Sequence, residues 1–253
     1  MPYVESICVA GKTVEVERYF TARYGRRGQK PEQKVRPSKE EQLRINNRIA
    51  EKKLRRILNA NFAPGDYHLI LSYARAKGEP PRDPEDMKDD IAKFLRALRK
   101  EYKLAGGELK YIHVAETGSH GARHHHLVIN SSSGVSIGTI QRVWSHGRIH
   151  VNPLDDSGNY KQLASYLIKY TCKTIGTPDA IQGKRWNSSK NLVHPVPEVR
   201  IITQREWFRS QGVRAPAKYA RKGYMIDKGS IEIGLHSPEY GGFGFMRFTM
   251  VRD

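Results

Sequence analysis

The stretch Glu116-Thr-Gly-Ser-His-Gly-Ala-Arg-His-His-His-Leu-Val-Ile-Asn130 predicts the turn and the second strand of a β-hairpin. Side chains alternate between the two faces of a strand, so His124 and His126 share one face while His125 lies on the other. Two imidazoles on one face, two residues apart, are able to bind one divalent metal ion. The predicted hairpin therefore indicates antiparallel β-structure and a metal site.

The segment before this turn supplies the third expected ligand. Leu109 to Ala115 predicts the first strand of the hairpin, and Glu116 follows on the face that carries Ile112 and Val114. A register that places Glu116 beside the histidine pair is geometrically easy. Imidazole and carboxylate ligands together suit Mg²⁺ or Mn²⁺, which are the cofactors we expect. His120, within the turn, is an alternative ligand to Glu116.

Other interpretations of the three histidines stay open. They could be surface residues, or core residues whose ring nitrogens are satisfied by hydrogen bonds. A metal could also be bound by His124 with His125, or by His125 with His126. The spacing of side chains along a strand favours His124 with His126.

The elements on either side of the hairpin predict an α+β fold. Tyr67 to Tyr73 alternates in the manner of a strand, and a helical stripe begins after Asp83 and ends at Gly106-Gly107. Arg148 to Leu154 predicts a further strand, and Asn159 to Thr174 predicts a helix. The order strand, helix, strand, strand, helix, strand, helix indicates a central antiparallel sheet with helices covering one face.

Two tyrosines and a lysine mark the last of these helices. Tyr166, Tyr170 and Lys173 are spaced i, i+4 and i+7, so they share one helix face. The buried stripe is expected about a third of a turn away, at Tyr160, Ala164, Leu167 and Thr171. A tyrosine on a helix is more often a core residue than a nucleophile, and both interpretations stay open here. A phenol beside a metal-bound phosphate could attack it, and Lys169 or Lys173 could add positive charge there.

The charge of the chain indicates a polyanionic partner. Its 44 Lys and Arg residues against 26 Asp and Glu residues give a net charge of +18, which favours nucleic acid over a membrane. A helix predicted from Ser38 to about Leu58 carries Lys52, Lys53, Arg55 and Arg56 on a face expected to be exposed. We predict DNA contacts at Lys52, Arg55, Arg56, Arg123 and Lys169. A solvated helix face without a ligand is the alternative interpretation.

The sequence also predicts the cellular setting. No apolar run approaches the ~20 residues of a membrane-spanning helix, and no signal-peptide pattern opens the chain. The two cysteines, Cys8 and Cys172, form no CxxC pattern, so neither a disulfide framework nor a structural zinc site is expected. We therefore expect a cytoplasmic protein.

Three segments are expected along the chain. Residues 1–37 are rich in Arg and Lys and are broken by prolines, which predicts a basic N-terminal arm. Residues 38–205 contain the hairpin and the tyrosine helix, and they are expected to form the functional domain. Residues 206–253 are expected to be a basic C-terminal extension that includes β-structure.

The hairpin and the tyrosine helix together resemble a known family. Glu116 to Asn130, followed by Tyr166 to Lys173, is similar to the HUH endonucleases, in which a histidine–hydrophobic–histidine strand binds metal and a tyrosine motif cuts single-stranded DNA. The closest likeness is to rolling-circle replication initiators of plasmids, integrative elements and small single-stranded DNA phages, in the subgroup with two tyrosines. Tyr67 to Tyr73 resembles the strand that opens their catalytic domain, and the likeness covers about residues 40–205. The chain departs from the motif at His125, where the family carries a hydrophobic residue.

The resemblance implies a fold, a reaction and partners. It implies a five-stranded antiparallel sheet with helices, of the RRM-like, ferredoxin-like topology, in a nicking endonuclease domain over residues 38–205. It also implies Mg²⁺ or Mn²⁺, a 5′-phosphotyrosine intermediate, and a freed 3′ end that primes replication. Tyr166 and Tyr170 would be the nucleophiles, and Lys173 would position the phosphate or the metal. Single-stranded DNA or an origin hairpin is the expected substrate, with a host helicase and polymerase as further partners.

Two other functions compete with this one. A single-strand transposase or a relaxase would share the chemistry but not the biological role. A non-catalytic single-stranded nucleic-acid-binding protein is the second alternative, because Gly242-Phe-Gly-Phe-Met-Arg-Phe248 resembles the aromatic strand of RNA-recognition domains. An RNA-recognition domain needs another helix and strand after this segment, and only Thr249 to Asp253 follow it here. We therefore expect a C-terminal β segment there instead.

Overall fold

The computed structural model describes residues 3–21, 37–76, 79–118, 121–174, 184–209, 213–235 and 243–252, with only the backbone at 170, 172–174, 208 and 209. Within these residues the strands are β1 Tyr3–Ala10, β2 Thr13–Phe20, β3 Tyr67–Ser72, β4 Tyr111–Thr117, β5 Arg123–Ile129, β6 Ile149–Pro153, β7 Asn187–Ser188, β8 Glu198–Ile202, β9 Met225–Leu235 and β10 Gly244–Val251. The helices are α1 Lys39–Asn61, α2 Pro84–Leu104, α3 Ile137–Val143, α4 Lys161–Thr174, α5 Gln204–Arg209 and α6 Ala217–Ala220. None of the helices in the described ranges is long and apolar enough to cross a membrane.

The chain divides into two compact units, which we call the histidine unit and the flanking unit. The histidine unit is Asn47–Val193, and the flanking unit combines Met1–Asn46 with His194–Asp253. These limits differ from the predicted segments 1–37, 38–205 and 206–253. The physical reason is strand pairing, because β8 pairs with β1 and β10 pairs with β2. Segments far apart in the sequence therefore belong to one sheet.

The histidine unit contains a five-stranded antiparallel sheet with the strand order β6-β3-β5-β4-β7. Its first elements follow the order β3, α2, β4, β5, α3, β6 along the chain. This is a split βαβ arrangement in which β5 lies between β3 and β4. The finding confirms the predicted α+β class, the five-stranded antiparallel sheet and its ferredoxin-like topology. The short strand β7 extends the sheet beyond β4.

Helices pack on both faces of this sheet, whereas the sequence pattern predicted helices on one face only. The β3, β4 and β5 strands carry apolar side chains on alternating positions of both faces, so each face needs a cover. One core joins α1 and α4 to the face with Ile112, Val114 and Val128. The other core joins α2 and α3 to the face with Leu69 and Leu127.

The flanking unit contains a second five-stranded antiparallel sheet, with the order β8-β1-β2-β10-β9. The prediction of a basic arm over residues 1–37 is wrong for β1 and β2, which form a hairpin; residues 22–36 lie outside the described part of the chain. Charged residues of this hairpin are buried as ion pairs, since Glu5 accepts hydrogen bonds from Arg18 at 2.7 Å and from Arg200 at 2.8 Å. The expected C-terminal β segment is confirmed as β10.

Local sequence signals account for where the helices begin. At the start of α1, Ser38 and Glu41 form a capping box, with Glu41 N donating to Ser38 Oγ and Ser38 N donating to Glu41 Oε2. At the start of α2, Asp83 accepts a hydrogen bond from the backbone of Glu85, and Pro84 is the first helical residue. The predicted starts of the two helices, at Ser38 and after Asp83, are therefore confirmed.

One basic side chain of α1 lies elsewhere than predicted. Arg56 is buried, with 9% of its surface exposed, so it does not belong to the exposed face on which we placed it. The reason is that the last turns of α1 are covered on several sides, with Leu54, Ile57, Leu58 and Asn59 all buried. Lys53 is exposed, and Lys52 and Arg55 are half-buried.

Candidate metal and nucleophile site

The pairing of β4 with β5 brings a carboxylate and two imidazoles together. Glu116 lies directly opposite His124 in the antiparallel register, and Val114 lies opposite His126. His124 Nε2 is 2.9 Å from Glu116 Oε2, and His126 Nε2 is 2.7 Å from the same oxygen. One ligand atom from each of the three residues lies within 4.8 Å of the others, so the group could hold one metal ion.

The donor set fits a divalent cation. Glu116 is 5% exposed and His126 is 1% exposed, whereas the side chain of His124 is 21% exposed and leaves a path to solvent. Burial acts to raise the pKa of Glu116, but hydrogen bonds from His124 and His126 outweigh it and hold the pKa at about 2. The group therefore offers an ionised carboxylate and two ring nitrogens, which together suit Mn²⁺ or Mg²⁺ with oxygen ligands completing the shell.

A fourth histidine, which the sequence analysis did not select, holds the ring of His126. His68 Nε2 lies 3.1 Å from His126 Nδ1, the nitrogen that does not face Glu116. Burial, together with the nearby His126, lowers the pKa of His68 to about 4, so His68 is neutral at physiological pH. Such a hydrogen bond fixes the orientation of a metal-binding imidazole. The available signal was strand alternation, because His68 faces away from Leu69 and Leu71.

Helix α4 places a tyrosine over the same face of the sheet. The ring of Tyr166 lies 5.4 Å from that of His126 and 6.0 Å from that of His68, both in edge-on arrangements. Tyr166 is 36% exposed, while the predicted apolar stripe of Tyr160, Ala164, Leu167 and Thr171 is buried. The helix thus buries one stripe and keeps Tyr166 accessible beside Glu116, His124 and His126. Tyr170 and Lys173 follow on α4, but their side chains lie outside the described part of the chain.

His125 belongs to the opposite face of the sheet. Its Nε2 lies 2.9 Å from the hydroxyl oxygen of Tyr73, and its Nδ1 lies 3.0 Å from Nε2 of His113. The residue is fully buried, and burial lowers its pKa well below the ordinary value. Burial also raises the pKa of Tyr73, so the pair is neutral. A metal held by His125 with either neighbour would require these buried hydrogen bonds to break.

This geometry predicts that His125 supports the strand and does not bind the metal. We expect His125→Leu to lower the free energy of unfolding by about 2–4 kcal/mol, because Tyr73 and His113 each lose a buried partner. The folded variant should keep the Mn²⁺ affinity of the parent protein. Urea unfolding and Mn²⁺ titration measure the two effects. His150→Leu, at an exposed position of β6, is the matched control. Loss of Mn²⁺ binding in His125→Leu would contradict this assignment.

The remaining expected site residues lie in different surroundings. Arg123 opens β5 and is half-buried, and Lys169 is exposed on α4. On α1, Lys52 and Arg55 are half-buried, whereas Arg56 is buried as described above. The alternative ligand His120 lies outside the described residues, so the structure does not place it.

A comparison with known families points to the same part of the chain. The sequence model of a family described as replication-associated protein ORF2/G2P matches residues 67–175. The match begins at the first residue of β3 and extends just past α4. It therefore includes both tyrosines and the candidate ligands Glu116, His124 and His126, which we call the three-residue ligand group. It covers less than half of the chain. No curated protein matches the sequence, and no solved structure matches it either.

Proposed function

We propose that the protein is a metal-dependent endonuclease that nicks and rejoins single-stranded DNA to initiate rolling-circle replication. The observation that carries this proposal is the position of Tyr166, whose ring lies 5.4 Å from the ring of His126 at the group of Glu116, His124 and His126. The match of residues 67–175 to a family of replication-associated proteins supports a role in replication. The net charge of +18 supports DNA as the partner.

In the proposed reaction, the phenolic oxygen of Tyr166 attacks the phosphorus of the scissile phosphate. A bond forms between that oxygen and phosphorus, and the bond from phosphorus to the 3′ oxygen breaks. The phenol proton leaves to solvent, and the departing 3′ oxygen takes up a proton to become a hydroxyl. The DNA stays joined to the protein through a 5′-phosphotyrosine. Because one phosphodiester replaces another, the reverse step can rejoin the strand.

Each residue of the site has a separate role in the proposed reaction. Glu116, His124 and His126 would hold Mg²⁺ or Mn²⁺, and His68 would keep the ring of His126 in place. A bound divalent ion would polarise the phosphate and stabilise the charge that develops in the transition state. Tyr170 would serve as the second nucleophile, as in the initiators that carry two tyrosines. Lys169 and Lys173 would add positive charge beside the phosphate.

The proposed role also implies a DNA substrate, host replication proteins as partners and a location in the cytoplasm. The substrate would be single-stranded DNA or the exposed strand of an origin hairpin, and the freed 3′-hydroxyl would prime a host polymerase. A host helicase would separate the strands ahead of it. All of these steps belong in the cytoplasm. A single-strand transposase or a relaxase would perform the same cleavage, and the products of strand transfer distinguish those roles.

The test is transfer of labelled DNA to the protein. Oligonucleotides with a randomised centre, labelled at the 3′ end, are incubated with the protein and Mn²⁺ and then separated on a denaturing gel. We expect label to migrate with the protein, because the tyrosine retains the fragment whose 5′ end carries the phosphate. A 5′ label should instead appear on a shorter free fragment. Absence of any protein-linked label with Mn²⁺ or Mg²⁺ would contradict the proposed function.

DNA binding should depend steeply on salt. We expect the affinity for an unstructured oligonucleotide to fall by about 10³-fold between roughly 50 and 200 mM salt, because several phosphates release their counterions on binding. Lys52→Gln with Arg55→Gln on α1 should flatten the slope of log K against log salt by about 0.7 per lost contact. Fluorescence anisotropy measures both. Arg96→Gln, on an exposed face of α2, is the control; a slope near zero for the parent protein would refute the prediction.

A further inference from the structure

A cleft of about 730 Å³ opens beside the candidate metal site, within the histidine unit. Its walls are the segment after β3, the segment before α2 with the first turn of that helix, and the beginning of β5. The volume is within the range of about 300–1,000 Å³ that holds small ligands, so one nucleotide fits. The reaction described above gives the other residues of this cleft no role.

The cleft and the metal site share one residue. His124 lines the cleft, and its Nε2 faces Glu116 in the three-residue ligand group. A strand whose phosphate lies at that group would therefore have an adjacent nucleoside at the mouth of the cleft.

Two arginine side chains in the wall are held in place before any ligand arrives. Arg82 Nε donates to the buried carboxylate of Asp90 at 2.9 Å, and Arg82 also pairs with Asp86 at 3.3 Å. Arg123 donates through Nη1 to the backbone oxygen of Arg82. Arg123 Nε is buried and has no hydrogen-bond partner within the described residues. Because this nitrogen is enclosed by the protein, a ligand in the cleft would contact the other N–H groups of the guanidinium, which carries five N–H donors in all.

The backbone on one side of the cleft is also rigid. Ser72 N donates to Arg148 O at 2.9 Å, and Ala74 N donates to His146 O at 2.7 Å. Gly147 lies between these contacts, where a Cβ would come within 2.2 Å of Ser72 O. The wall from Ser72 to Ala74 is thus held against its neighbour by two backbone hydrogen bonds.

The charges in the wall favour a base over another phosphate. Three arginines, Arg75, Arg82 and Arg123, face an equal number of carboxylates, from Glu79, Asp83 and Asp86. A phosphate would gain from the arginines but meet the carboxylates at the same time. Guanine presents two acceptors, O6 and N7, which suit arginine, together with N–H donors that suit a carboxylate. Guanine carries the two acceptors on one edge and the N–H donors on another, so an arginine and a carboxylate on opposite sides of the cleft could contact it at once.

We propose that the cleft binds the guanine base of the nucleotide next to the scissile phosphate. This inference rests on the proposed function and adds a sequence preference to it. Arg123 supplies the donor to the guanine O6 and N7 edge, and Asp86, with its side chain 54% exposed, accepts from the opposite edge. The cleft then selects where a strand is placed, while the metal and the tyrosine act on whichever phosphate it presents.

The test measures binding without cleavage. The variant Tyr166→Phe/Tyr170→Phe of the full chain is titrated, with Mn²⁺ present, against the labelled oligonucleotides 5′-TTGTT, 5′-TTATT, 5′-TTCTT and 5′-TTTTT, and anisotropy is recorded. We expect TTGTT to bind about tenfold more tightly than the other three. Adding Arg123→Gln should bring the ratio of affinities close to one, and adding Asp86→Asn should reduce it. Adding Arg96→Gln, which removes the same charge from an exposed position away from the cleft, should leave the ratio intact.

The outcomes separate this inference from the proposed function. Equal binding of all four oligonucleotides, or a preference for another base, overturns the guanine cleft, while protein-linked label in the cleavage test would still support the nickase. A guanine preference that survives both Arg123→Gln and Asp86→Asn places the base elsewhere and also overturns the inference. If no oligonucleotide binds and no label is transferred, both proposals fail.

Discussion

The double variant Tyr166→Phe/Tyr170→Phe is expected to form no covalent link with DNA. Each change removes one hydroxyl and leaves the ring, so the variant loses the oxygen that we propose as the nucleophile and keeps the aromatic side chain. Protein-linked label should fall by a factor on the order of 10³ or more, to the background of the assay. Each single variant should lose only part of the protein-linked label. We expect Tyr166→Phe to remove most of the first cleavage. The measurement is the 3′-label transfer described above.

Tyr160→Phe is the matched control for this experiment. Tyr160 precedes α4 and belongs to the buried stripe at 3% exposure, and burial raises its pKa to about 12. Its hydroxyl therefore stays protonated and away from DNA, and the variant should transfer label as the parent protein does. Undiminished label transfer by the double variant would show that neither tyrosine is the nucleophile.

The second large effect is expected at the three-residue ligand group. His124→Ala removes one of two imidazoles, and we expect Mn²⁺ affinity to fall at least about 100-fold, with loss of nicking. His124 is the more exposed of the two histidines, so the variant leaves less buried space than His126→Ala would. DNA binding and its salt dependence should persist, because they come from basic side chains. Calorimetric Mn²⁺ titration, nicking and anisotropy measure the three effects.

Controls for this variant come from the same protein. Glu116→Gln keeps the shape of the carboxylate but removes its charge, and it should weaken Mn²⁺ binding in the same direction. His150→Ala, at an exposed site on β6, removes a histidine from the same sheet and should change neither metal binding nor nicking. Normal nicking by His124→Ala would place the metal site elsewhere.

The elements around the hairpin could be predicted because their patterns are regular. Strand alternation predicted β3 and β5, and the apolar spacing after Asp83 predicted α2. The register that sets Glu116 opposite His124 also follows from alternation on two adjacent strands. Alternation and helical spacing thus predicted the ligand group and the tyrosine stripe, and the family resemblance predicted that the two lie together.

Other features depend on contacts that no local pattern contains. The β1 and β2 strands were missed because their charged residues are buried as ion pairs, and Arg200, the partner of Glu5, comes from β8. The role of His68 depends on the pairing of β3 with β5, which spans some sixty residues of sequence. The burial of Arg56 depends on what covers the last turns of α1. Long-range pairing, not propensity, decided each of these positions.

The flanking unit combines two segments that are separated by the whole histidine unit, so the strands of its sheet are synthesised at different times. The β1–β2 hairpin leaves the ribosome early, but β8 and β10, which complete its sheet on either side, are translated only after the whole of Asn47–Val193. The nascent hairpin must therefore wait with both edges unpaired, a state that favours association with other chains. The continuous histidine unit can fold in the meantime, because all five strands of its sheet are already available. Slow translation beyond Val193 would lengthen the time for which the hairpin edges stay unpaired, without affecting the histidine unit.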